Sequence, residues 1–146
     1  MSGVVLSADF DFGRAADAIA RLADPDIDEL AFNVGQLLET QSRTRISDEK
    51  VAPGGAPWAA WSADYAATRS AQHSLLVGEN DLLESVQNYS AGAEAKVGTN
   101  LVYGAIHQFG GEPVGMPIPA RPYLGVSDEN AAEIEDLVID YLEELL

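Results

Sequence analysis

The chain contains no cysteine. Disulfides, thiolate metal sites and a cysteine nucleophile are therefore excluded. Histidine is almost as scarce, with His73 and His107 the only two. Basic residues are few: 8 Lys and Arg stand against 24 Asp and Glu, a formal charge of -16. As a whole, such a surface repels nucleic acid. No apolar run approaches the ~20 residues that a membrane helix needs. The N-terminal MSGVVLSADF has no basic n-region, so no secretory signal is read there, and the chain is expected to stay in the cytoplasm where it is made. No P-loop, no G-x-G-x-x-G fingerprint and no G-x-S-x-G elbow is present. Asp24, Asp26 and Asp28 look like a fragment of a calcium loop, but the required glycine and distal glutamate are missing. No metal and no cofactor is expected.

What is there suits one domain spanning residues 1–146. The hydrophobic content of 47% is that of a globular chain and excludes a disordered one. Val4, Leu6, Ala8, Phe10 and Phe12 alternate with mostly polar neighbours, which predicts a half-buried strand over 4–12. An Ala-rich helix is predicted over 14–23. Asp24 then suits an N-cap and Pro25 a first helical position. Ile27, Leu30, Ala31, Val34, Leu37 and Leu38 fall on one helical face, with Arg43 and Arg45 placed to complement the helix dipole. Residues 46–57 read as a loop. A short helix capped by Ser62 runs from Ala63 to about Ser70. One helical turn is expected over 80–84, and a hairpin joins 86–90 to 93–97 around Ala91-Gly92. Leu101 to Phe109 reads as a helix stopped by Gly110 and Gly111. A Pro/Gly-rich loop follows to Pro122, then a last strand over 123–126. Ser127 caps a C-terminal helix whose stripe, Ile134, Leu137, Val138, Tyr141, Leu142 and Leu145, is expected to pack on the sheet and on the helix near Pro25. The fold class is α+β: amphipathic helices on a small, mostly antiparallel sheet.

Few residues suggest chemistry. His107 has the type of a general base or metal ligand, but no H-x-x-x-H or E-x-x-H spacing surrounds it. It is expected to hydrogen-bond backbone at the corner between helix and loop. Trp58 and Trp61 either anchor the preceding loop on the core or form an interface hot spot. Arg121 lies between two prolines, where its guanidinium is available to bridge to a carboxylate of the same or an adjacent subunit. Val114, Met116 and Ile118 put apolar surface on the Pro/Gly-rich loop, and Phe109 and Tyr123 flank it. These nine residues are the interface candidates. After Arg121 there are eight acids and no Lys or Arg. They form either a solvated helix face or an acidic surface for a basic partner or a channel. On charge alone, an acidic binding module that mimics nucleic acid and blocks a basic protein is an alternative function.

The run from Val97 to Val126 carries a more specific signal. Val97, Gly98, Thr99 and Asn100 are followed by Tyr103, Ile106, His107, Gln108, Phe109, Gly110 and Gly111. Pro119, Ala120, Arg121, Pro122, Leu124 and Gly125 complete the set. This pattern resembles the phage virion morphogenesis family, the tail-completion proteins of Mu-like and related contractile-tailed phages. The similarity spans roughly residues 58–142. Gly104 stands where family members more often have Ala, and Tyr123 where Phe is usual. The resemblance implies a structural virion protein of the neck or tail, assembled in the host cytoplasm and not an enzyme. It implies a ring-shaped homo-oligomer of about six copies, built from head-to-tail contacts. Its partners would be tail-tube or terminator and head-connector proteins, with a passing contact to phage DNA and no membrane.

Overall fold

The computed structural model describes residues 3–8, 26–70, 73–78 and 80–145. Three strands form an antiparallel sheet: β1 (Val4–Ala8), β2 (Gln87–Asn88) and β3 (Ala95–Thr99). Their order is β1-β3-β2, with Val4 opposite Thr99 and Gln87 opposite Gly98. The hairpin between β2 and β3 turns at the expected Ala91-Gly92, closed by a bridge between Ala91 and Glu94. In its second arm Ala95 and Val97 are buried, while Ala93 is exposed. The expected continuation of the first strand to residue 12, and the Ala-rich helix over 14–23, lie outside the described residues.

Helix α1 (Ile27–Thr44) forms where the 3.6-residue stripe predicts it. Its N-cap is Asp26, whose carboxylate accepts the Glu29 N–H, so the cap falls two residues after Asp24. Leu30, Val34 and Leu38 face the sheet and are fully buried. Gly35 lets α1 approach the hairpin, because a Cβ there would collide with the side chains of Ser90 and Asn88. The helix runs on into a π-helical turn, Arg45–Glu49, where the sequence suggested a loop. Lys50 ends it in the left-handed region, and its ammonium donates to the Ser74 hydroxyl and the Leu75 and Ile46 carbonyls.

Three short helices follow: α2 (Ala63–Ala66), α3 (Asp81–Ser85) and α4 (Gly104–Phe109). Ser62 caps α2 as expected, yet the helix stops four residues short of Ser70. The last strand expected over 123–126 does not form. The chain bends at Leu124 and Gly125, and the Tyr123 and Leu124 N–H groups donate to the Gln108 side chain instead of to a neighbouring strand.

Helix α5 (Asp128–Leu145) begins at a reciprocal cap. The Ser127 hydroxyl accepts the Asn130 N–H, and the Asn130 side-chain oxygen accepts the Ser127 N–H. That oxygen also takes a hydrogen bond from the Arg45 guanidinium, and the Asn130 carbonyl accepts from Gln41. At the far end, the Tyr141 hydroxyl accepts the Asp26 N–H and donates to the Asp26 carbonyl. Helix α5 therefore packs antiparallel on α1, and its Ile134 belongs to the same core cluster as Leu38, Ala95 and Val97. The expected packing of α5 on the helix near Pro25 forms, and its approach to the sheet strands is slight by comparison.

Candidate functional site

The two motif runs around the Pro/Gly-rich loop form one hydrogen-bonded unit. Gln108 of α4 binds the later run by its side chain. Its Oε1 accepts the N–H groups of Tyr123 and Leu124, and its Nε2 donates to the Leu124 carbonyl. The Arg121 N–H donates to the His107 carbonyl at 2.7 Å. A side-chain amide thus does what a neighbouring strand would do for an extended arm. The Tyr123 hydroxyl donates to the Gly104 carbonyl at 2.8 Å. A Cβ on Gly104 would lie 2.9 Å from that hydroxyl and 2.5 Å from Thr99 Cγ2. A methyl at position 104 would therefore collide with Thr99 and with the Tyr123 hydroxyl.

Between the two runs the chain is pinched at its neck. The Gly111 N–H donates to the Ile118 carbonyl, and the Gly111 carbonyl accepts from Met116 and Val114. A single 3-10 turn, Glu112–Val114, fills the loop, ended by Gly115 at φ 75°. Residues 112–117 are all exposed. Val114 is 64% and Met116 47% accessible, and Phe109 at the base of the loop is 64%. The result is a small, closed, apolar projection.

The other candidates divide by burial. Trp58 is in the core, its indole N–H donating to the Pro122 carbonyl at 2.8 Å. Tyr123 is fully buried, which pushes its phenol pKa up. Arg121 is 6% accessible, and its guanidinium donates to the Ala59 and Ala60 carbonyls. It fastens residues 59–60 to the motif unit and, among the described residues, bridges to no carboxylate. These three side chains hold the surface in shape from beneath.

Trp61, His107 and Ile118 instead line a cleft of about 410 Å3 beside the loop neck. Tyr65, Arg69 and Tyr103 share it. Trp61 meets Tyr65 edge-on at 5.9 Å, and the Arg69 guanidinium lies 4.7 Å from the centre of the Tyr65 ring. Tyr103 meets His107 edge-on at 5.9 Å. Sequence reasoning set Tyr103 among the family residues without assigning it to a surface, and it assigned neither Tyr65 nor Arg69 to one. Their helical spacing gave a weak signal, because α2 is a single turn.

His107 does not make the backbone bond expected of its ring. Its Nδ1 is buried without a hydrogen-bond partner among the described residues, and it is the backbone carbonyl that holds the corner. Burial, reinforced by nearby Arg121, holds the imidazole below its ordinary pKa, so the ring is neutral near pH 7. Among the described residues, no group of three or more His, Asp or Glu is placed to hold a metal ion. None of their helices is long and apolar enough to cross a membrane.

Comparison with known proteins agrees with the motif unit. The chain is 35% identical over 92 residues to "Putative capsid assembly protein G" of Escherichia phage Mu, covering 58% of this chain and 59% of that protein. It is 38% identical over 78 residues to "Mu-like prophage FluMu G protein 2" of Haemophilus influenzae, covering 51% and 56%. The chain thus spans a little over half the length of these relatives. No solved structure matches it. The profile of the phage virion morphogenesis family matches residues 11–143, nearly the whole chain, and the protein belongs to that family.

Proposed function

We propose that this virion morphogenesis protein is a structural subunit of the head-tail junction that completes the tail and joins it to the head. It works by binding: copies assemble into a ring, one face of which meets the tail tube and the other the head connector. The pinched loop carries this reading. A fold that spends Gln108, Arg121, Trp58 and Tyr123 on holding an exposed apolar projection rigid is built to present that projection to another protein. The names of the relatives fit the same place. A likeness to tail-completion proteins and a Mu relative named for capsid assembly meet where capsid and tail are joined. No catalytic step is needed, and the neutral, enclosed His107 has no second acid, base or nucleophile hydrogen-bonded to its ring among the described residues.

The test is particle assembly with Val114→Asp and Met116→Asp together. The folded variant is expected to leave filled heads and separate tails, counted by electron microscopy of the lysate. His107→Ala is expected to weaken assembly and to remove no enzymatic turnover. Joined, infectious particles from the double variant overturn the proposal.

A further inference from the structure

The cleft beside the loop neck differs from the rest of this acidic molecule. Its walls include Trp61, Tyr65, Tyr103 and Ile118, and Asp81 lines it as well. Its size lies within the ~300–1,000 Å3 typical of sites that enclose a ligand. Arg69 reaches into it, and among the described residues Arg69 alone of the cations donates to neither a carboxylate nor a carbonyl. Arg43 and Lys96 hold Glu39 and Glu94, while Arg45, Lys50 and Arg121 are taken up by backbone oxygens. Among the described residues, the Arg69 guanidinium lies over the Tyr65 ring and donates to the Thr68 hydroxyl. A site with aromatic walls and one available guanidinium fits an apolar segment that carries one carboxylate.

The same chain displays such a segment. The pinched loop presents Val114 and Met116 with Glu112 beside them, and Glu112 has no ion pair among the described residues. The eight acids of the last helix are too dense a charge for those walls. Nor does the loop enter its own cleft: Pro117, Ile118 and Pro119 form part of the wall, but residues 112–116 do not line it. We infer that the cleft receives the pinched loop of a second copy of this chain, with Val114 and Met116 among the aromatic rings and Glu112 on Arg69. The inference rests on the reading that the protein acts by self-assembly. Loop and cleft are different surfaces, so the contact is head-to-tail and propagates until a ring closes.

The absence of cysteine makes the test clean. Ala60→Cys, on an exposed residue lining the cleft, and Val114→Cys, on the loop, are made in separate, differently tagged chains. Oxidation of the mixture should give the mixed disulfide, and neither variant alone should cross-link. A Val114→Cys homodimer would mean a symmetric contact and overturn the inference, as would no cross-link. In sedimentation velocity, Arg69→Glu and Glu112→Arg should each weaken self-association by about 10-fold or more, and the two together should restore it. Unchanged association in the single variants, or no recovery in the pair, overturns the contact. If cross-linking fails while the loop variants still leave heads and tails apart, the contact falls and the junction role stands. If cross-linking succeeds while those variants join normally, the contact stands and the junction role falls.

Discussion

Helices α1 and α5 are each 18 residues long, and each carries an apolar stripe. They are used differently. Helix α1 buries Leu30, Ala31, Val34, Gly35, Leu38, Gln41 and Ser42, whereas α5 buries only Asn130 and Ile134. The difference follows from position. Helix α1 is covered by the sheet on one side and by α5 on the other. Among the described residues α5 has one principal neighbour, α1, and its Leu137, Val138, Tyr141 and Leu142 are half-buried while Ile139 is 42% accessible. Hydrophobic spacing tells which face of a helix is apolar, but not how much will be laid on it. Where area is short, α5 is pinned by polar contacts near its two ends, at Asn130 and at Tyr141.

Three measurements would break or sharpen this contrast. The largest effect is expected from Leu38→Ala, a cavity at a fully buried site, at about 3–4 kcal/mol in urea unfolding, against under about 1.5 kcal/mol for Leu142→Ala. Equal losses would show that α5 is as deeply seated as α1. Next come the pins. Asn130→Ala leaves the buried Arg45 guanidinium and the Ser127 N–H without their partner and should cost about 2–3 kcal/mol. Tyr141→Phe should cost about 1 kcal/mol, because both groups it frees are at the surface and regain water. The smallest effect is expected on the outer face. Replacing Glu133, Asp136, Asp140 and Glu144, all exposed, by Gln or Asn should move the Tm by no more than about 2 °C. A large rise would mean that acid repulsion strains α5, and lost head-tail joining in the folded variant would assign the face a basic partner.

Where the signal is local, it was legible in the sequence. The α1 stripe, the turn at Ala91-Gly92, the Ser62 and Ser127 caps and the stop of α4 at Gly110 all act within a few residues of themselves. What pairs at a distance was not legible. Arg45 read as a complement to the helix dipole, yet it is also buried and donates to the Tyr123 carbonyl and to Asn130. Residues 123–126 have the composition of a strand, but they pair with no strand among the described residues, and Gln108 supplies hydrogen bonds to Tyr123 and Leu124. The loop was recognisable by its prolines and glycines, but the cleft was not, since Trp61, Arg69, Tyr103 and Ile118 come together only once α2, α4 and the loop neck are in place.

The bonds that close this core join distant points of the chain. Asp26 meets Tyr141 across 115 residues, Arg45 meets Asn130 across 85, and Trp58 meets Pro122 across 64. Such contacts form late in folding, because the intervening chain must be ordered before they offset its lost entropy. During synthesis, α1 and its buried arginine must wait until α5 has left the ribosome. The motif unit need not wait, since its own bonds run between residues 58 and 124. A chain stopped before α5 therefore keeps those bonds and loses the polar anchors that Asn130 and Tyr141 give to α1.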